Sequence, residues 1–119
     1  SEYNEDFKAM LVDLNERLDK KAYEAAKVYY HTEDYKAAQY AFKNVLKEDA
    51  SNIYREEVLY YTAMSSYKYA FNSVLQKQKE RYMTFTDDYY NFISEFPDSK
   101  YRKELDNLSR RVERILNKK

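Results

Sequence analysis

The sequence contains no glycine, and Pro97 is its only proline. These two residue types are the strongest helix breakers, because glycine costs about 1 kcal/mol and proline about 3 kcal/mol relative to alanine inside a helix. A chain of 119 residues with a single breaker can be helical along most of its length. Its apolar residues also recur every three or four positions, as in the first stripe: Phe7, Met10, Leu11, Leu14 and Leu18. No segment alternates with a period of two, so we predict an all-α fold.

Short polar clusters divide the predicted helices within one domain, residues 1–119. The clusters at 32–34 and 49–52 carry the short polar side chains that favour turns and helix N-caps. Pro97 ends the helix before it. The predicted elements are, in order, helices over residues 3–31, 34–49 and 53–71, a loop over 72–79, and helices over 80–96 and 99–117.

The chain also contains a repeat, because residues 34–58 align without gaps on residues 81–105, an offset of 47. In this alignment Ala50 occupies the place of Pro97, so the turn occurs twice and the proline marks one copy. The identical pairs are Tyr35/Tyr82, Asn44/Asn91, Glu48/Glu95, Tyr54/Tyr101, Arg55/Arg102 and Glu57/Glu104.

The repeated unit resembles the tetratricopeptide repeat (TPR), a helix–turn–helix with small residues where its helices touch and a proline after the second helix. The resemblance implies five or six helices in antiparallel pairs that form a short right-handed solenoid. Ala38 is the small residue of the second helix in the first unit. Three positions depart from the pattern, since Glu33 stands at a usual glycine, Ala50 at a usual proline and Phe85 at a usual alanine.

Composition excludes several kinds of function. Lys plus Arg equal Asp plus Glu at 21 each, so the chain has no overall charge that would attract nucleic acid or an anionic membrane. It has no cysteine, and therefore no disulfide, thiolate nucleophile or cysteine-bound metal. No apolar run approaches the roughly 18 residues of a membrane span. With aromatic residues at 18%, the chain is too rich in them for a disordered segment, so we expect it to fold around tyrosine rings.

No catalytic constellation is evident. His31 is the only histidine and adjoins a predicted surface turn. Asp87 and Asp88 are neighbours on one helix, so their carboxylates point about 100° apart and belong to a solvated face. Without glycine there is no phosphate-binding loop, and no calcium-loop spacing occurs. We predict that the protein is not an enzyme and has neither a metal nor another cofactor.

The tyrosines suggest a binding surface. Tyr29, Tyr35, Tyr82 and Tyr89 fall at core positions of the repeat. Six other residues fall on the first-helix positions that line the concave groove of such arrays, where exposed Tyr and Met favour protein contacts. The predicted protein-binding residues are Tyr23, Lys27, Tyr30, Tyr60, Met64 and Tyr67. The alternative is that neighbouring repeats cover them.

Several strings together resemble the C-terminal repeats of the BamD family, particularly its Bacteroidetes branch. They are ERLDKKAYEAAKVYYHTEDYKAAQYAFKNVLKE, SNIYREEVLYYTAMSSYKYAFNSVLQKQKERY and DDYYNFISEFPDSKY. The resemblance covers nearly all of residues 11–105. BamD is the outer-membrane lipoprotein of the β-barrel assembly (BAM) machinery.

This resemblance implies a non-catalytic scaffold on the periplasmic face of the outer membrane. The implied partners are BamA-type POTRA domains, other subunits of the assembly machinery and unfolded outer-membrane proteins. Family members are anchored through a lipidated cysteine that residues 1–119 do not contain. No specific interface motif carries over, so the candidate residues rest on the groove positions alone.

A second interpretation is a generic TPR adaptor or co-chaperone module that binds peptide C-termini. That use of the fold requires paired Lys and Asn on successive helices to clamp a carboxylate. Tyr23 and Lys27 occupy the relevant positions of the first unit, so the sequence does not favour this interpretation.

Overall fold

The computed structural model describes residues 2–118. Five helices follow one another: α1 (Glu2–His31), α2 (Tyr35–Glu48), α3 (Arg55–Phe71), α4 (Leu75–Glu95) and α5 (Arg102–Leu116). No strand occurs within residues 2–118, so the predicted all-α class is confirmed. Four of the predicted helices begin and end within three residues of the observed ones.

The predicted loop over residues 72–79 is wrong for most of its length, because α4 begins at Leu75. The first turns of α4 are polar since they are exposed, and Gln, Lys and Glu are good helix formers. The short turn between α3 and α4, residues 72–74, is stabilised by a side chain of α4. Arg81 donates to the Ser73 hydroxyl at 2.6 Å, and its guanidinium lies 4.2 Å from the centre of the Tyr69 ring.

Each helix packs against the next one in the chain, and α3 also touches α1 and α5. Such packing of adjacent pairs is consistent with TPR-like helical repeats, and it makes α3 the central element. The molecule is elongated, with extents of 67 × 28 × 18 Å. Its core consists of two clusters that meet on α3. The first joins α1, α2 and α3 through Tyr23, Ala26, Ala38, Phe42, Val45 and Val58. The second joins α3, α4 and α5 through Ala63, Met64, Tyr67, Ala70, Tyr82, Phe85, Tyr89, Phe92, Leu105 and Val112.

The two turns at the 47-residue offset have the same hydrogen bonds. In the α2–α3 turn, Arg55 donates to the Ala50 carbonyl at 2.7 Å, and the Tyr54 N–H donates to the Asn52 side chain at 2.8 Å. In the α4–α5 turn, Arg102 donates to the Pro97 carbonyl at 2.9 Å, as Arg55 does to Ala50. The Tyr101 N–H likewise donates to the Ser99 hydroxyl at 3.0 Å. The turn is therefore a repeated unit whose fold depends on the arginine and the polar cap, and Pro97 is not essential to it.

Glu33 explains how α1 ends without glycine. Its φ is 64°, in the left-handed region that glycine usually occupies after a helix. The Asp34 N–H donates to the Tyr29 carbonyl at 2.9 Å, and the Glu33 N–H donates to the Tyr30 carbonyl at 3.1 Å. These two bonds satisfy carbonyls at the end of α1. Asp34 then caps α2, since its side chain accepts from the Ala37 N–H at 3.2 Å.

Candidate protein-binding face

Half of the six predicted binding residues are not available to a partner. Tyr23, Met64 and Tyr67 are buried, with 6%, 6% and 7% of their surface exposed, so their predicted exposure is wrong. Neighbouring helices of this chain cover them. The Tyr23 ring stacks on Tyr54 at 4.6 Å. The hydroxyl of Tyr67 accepts a hydrogen bond from Arg111 at 3.2 Å.

The other three candidates, Lys27, Tyr30 and Tyr60, are half-buried. Tyr30 and Tyr60 are joined by a chain of aromatic contacts that runs from the end of α1 across α3 to the start of α5. The Tyr30 ring lies 4.9 Å from that of Tyr61, Tyr61 lies 5.0 Å from Tyr60, and Tyr60 stacks on Tyr101 at 4.0 Å. We call these residues the tyrosine face: Lys27, Tyr30, Tyr60, Tyr61 and Tyr101.

Lysines lie over the rings of the tyrosine face. The Lys27 ammonium is 5.7 Å from the centre of the Tyr61 ring, Lys68 is 5.0 Å from that of Tyr30, and Lys100 is 5.2 Å from that of Tyr101. A cation over an aromatic ring is stabilised by the negative face of the ring. The lysine side chains are thereby held in place beside the phenols.

The phenols of Tyr30 and Tyr60 stay neutral over the physiological pH range. Burial raises the pKa of Tyr30, although the Lys68 ammonium beside it partly offsets this effect. Burial also raises the pKa of Tyr60, which donates its hydroxyl proton to Glu104 at 2.5 Å. Tyr30 and Tyr60 therefore present neutral hydroxyls beside lysine ammonium groups, a chemistry that suits partners rich in carbonyl and carboxylate oxygens.

The predicted core tyrosines are partly correct. Tyr82 and Tyr89 are buried, as expected. Tyr35 is only half-buried, and Tyr29 is 46% exposed, so its core assignment is wrong. Tyr29 belongs to neither core cluster.

Asp88 also differs from its prediction, since it is buried and not part of a solvated face. It accepts a hydrogen bond from the Ser66 hydroxyl at 2.5 Å and lies 3.6 Å from the Lys43 ammonium. These contacts join α2, α3 and α4. Burial raises the pKa of Asp88 above its usual value, while Ser66 and Lys43 partly offset the shift. Within residues 2–118 no group of three or more His, Asp or Glu side chains is arranged to hold a metal ion.

The Asp88→Asn variant is expected to change how stability depends on pH. A folded-state pKa above the unfolded value means that the native state binds the proton more tightly, so the stability contributed by Asp88 falls as pH rises. Asparagine can still accept from Ser66 but does not titrate. The free energy of unfolding of the wild type minus that of the variant should therefore decrease from about pH 4 to about pH 7 in urea titrations.

Asp87→Asn is the matched control, because Asp87 is the exposed neighbour on the same helix. This variant keeps the Asp88 carboxylate, so its difference from the wild type should fall less with pH than the Asp88→Asn difference does. A wild-type minus Asp88→Asn difference that rises with pH would contradict the assignment of Asp88 as a desolvated carboxylate.

Neither the models of known protein families nor the curated proteins gave a match to this chain. Among the five described helices, none combines the length and hydrophobicity that crossing a membrane requires.

Proposed function

We propose that this protein is a non-catalytic scaffold of outer-membrane protein assembly, of the kind formed by the C-terminal TPR-like repeats of the BamD family. Two observations support the proposal. The five helices pack in adjacent pairs as TPR-like repeats do. The motif combination from AYEAAKVYY to YYNFISEFPDSKY resembles that family along most of the chain.

The tyrosine face is the structural observation that best supports a role in binding other proteins. Tyrosine is enriched in protein interfaces because it covers a large contact area and retains a polar group at its tip. Here the rings are already fixed by stacking and by hydrogen bonds such as that from Tyr60 to Glu104. A partner would bind without paying the full entropy of ordering these side chains, which favours affinity.

The proposed partners are BamA-type POTRA domains, with other assembly subunits and unfolded outer-membrane proteins as further partners of the same machinery. The proposed location is the periplasmic face of the outer membrane, reached through a lipid anchor that this sequence does not include. Both proposals rest on the family resemblance.

Titration calorimetry with soluble BamA-type POTRA domains tests this function. We expect a dissociation constant on the order of 10 µM or tighter. A peptide with an acidic C-terminus serves as the control, since a carboxylate-clamping adaptor would bind it and this chain should not. Absence of POTRA binding at about 100 µM would contradict the proposal, and binding of the peptide alone would favour the adaptor function.

A further inference from the structure

The first half of α1 contributes no residue to either core cluster. Every residue from 2 to 18 is exposed, although α1 continues as one helix to His31. Seven large apolar side chains lie on this half: Tyr3, Phe7, Met10, Leu11, Val12, Leu14 and Leu18. An exposed apolar patch of this size marks an interaction surface.

The exposed apolar residues follow a coiled-coil pattern. Spacings of four and three alternate without a break along the exposed side of α1. The residues of this seam are Phe7, Leu11, Leu14, Leu18, Lys21, Ala25 and Val28. Such a repeat of 3.5 residues is what keeps one seam of a helix facing a partner helix. The seam extends over about 32 Å at 1.5 Å per residue.

The seam stays free along the half of α1 that does pack within the molecule. There, Tyr23 and Ala26 face α2 and α3, whereas Ala25 and Val28 are exposed on the other side. A second helix can therefore lie along the whole seam without displacing any contact within the chain.

The charges of α1 favour an antiparallel partner with the same sequence. Residues 2–15 carry four acidic side chains and one basic one, whereas residues 17–30 carry four basic and two acidic ones. A parallel pair would place acidic beside acidic and basic beside basic. An antiparallel pair centred on residue 16 places the acidic half of each helix beside the basic half of the other.

The same centre brings the seam into register. Leu14 of one copy then lies opposite Leu18 of the other, and Phe7 lies opposite Ala25, so that a large residue meets a small one. Leu11 lies opposite Lys21, whose alkyl stem can cover the leucine while its ammonium reaches water. We propose that this protein forms a two-fold symmetric dimer in which the α1 helices of two copies pair antiparallel along this seam.

Sedimentation equilibrium of the whole chain, compared with Leu14→Glu, tests the dimer. We expect the wild type to be a dimer with a dissociation constant on the order of 10 µM, and the variant to dimerise at least about 100-fold more weakly. The reason is that Leu14 lies near the two-fold axis, where the substitution would remove two leucines from the seam and place two carboxylates in its apolar centre. Circular dichroism should show an unchanged thermal transition of the α2–α5 body, because Leu14 is exposed and belongs to neither core cluster.

Leu75→Glu is the matched control. Leu75 is 81% exposed at the start of α4, so the same substitution there should leave the dimer intact. A wild-type chain that stays monomeric at about 200 µM would overturn the proposal and assign the α1 seam to a different protein. If Leu14→Glu and Leu75→Glu weakened dimerisation equally, the seam would not be the dimer interface.

The orientation is tested by cross-linking, which is simple because the chain has no cysteine. A mixture of the Phe7→Cys and Ala25→Cys variants should give mainly the mixed product with a short thiol-reactive cross-linker. Each variant alone should give little product. Efficient cross-linking of each variant with itself would show a parallel pair and overturn the antiparallel arrangement.

Discussion

Phe85→Ala is expected to lower the free energy of unfolding by about 3–5 kcal/mol, the usual range for a buried phenylalanine. Phe85 is fully buried in the second core cluster, where its ring packs edge-on against Tyr67 at 5.5 Å. The TPR pattern has alanine at this position, so a comparison with the repeat alone would predict that the variant is harmless. The same cluster contains two small buried residues of α3, Ala63 and Ala70. Removing the ring leaves a cavity that these side chains cannot fill.

Urea unfolding of Phe85→Ala and Phe71→Ala provides a matched comparison. Phe71 is 61% exposed, so the same substitution there should cost less than about 1 kcal/mol. If the two variants lost similar stability, or if Phe85→Ala were neutral, the account of how the second unit packs would be wrong.

Ala38→Phe is the reciprocal change, because Ala38 is the residue that aligns with Phe85 at the 47-residue offset. We expect it to destabilise the protein by about 3 kcal/mol, the upper part of the range for overpacked cores. Ala38 is fully buried, and the space around it is already filled by larger rings. Tyr23 and Phe42 belong to the same cluster, and Phe42 stacks on Tyr61 at 5.4 Å.

Ala9→Phe is the control for a phenyl ring added to a helix. Ala9 is exposed on α1 and lies off the seam, so this variant should stay within about 0.5 kcal/mol of the wild type. If the Ala38→Phe variant were as stable as the wild type, the first core cluster would have room for a large side chain at this position. That result would contradict the tight packing around Ala38.

The helices were predictable because their signals are local. Turn residues, the single proline and the spacing of apolar residues located α1, α2, α3 and α5 within three residues. The repeated turn was also predictable, since Arg55 and Arg102 are identical at the offset and make the same hydrogen bond to the preceding turn. The start of α4 was missed because its first turns are mostly exposed and carry no apolar period.

The exposure of the tyrosines was not predictable from periodicity. Periodicity shows which residues share a face of a helix, but it does not show how many neighbours surround the helix. Six consecutive residues of α3, 62–67, are buried because other helices pack around this central element. One signal could have revealed this burial, since residues 58–67 carry no charge. Met64 and Tyr67 lie within that uncharged run.

The proposed binding surface is consequently smaller than the sequence suggested, but it is better defined. The surface no longer includes Tyr23, Met64 and Tyr67, because these residues are buried in the core. It has gained Tyr61 and Tyr101, which groove positions alone did not identify and which join Tyr30 to Tyr60 in one continuous aromatic chain.

The most direct test of the central claim is the affinity of Tyr30→Ala and Tyr40→Ala for BamA-type POTRA domains, measured by calorimetry beside the wild type. Tyr30 belongs to the tyrosine face, whereas Tyr40 is 67% exposed on α2, outside this face. Thermal unfolding of both variants establishes a temperature at which each is folded. We expect Tyr30→Ala to bind at least about 10-fold more weakly than the wild type, and Tyr40→Ala to bind as the wild type does. Unchanged binding by a folded Tyr30→Ala variant, or equal losses in both, would contradict the claim that this face binds the partner.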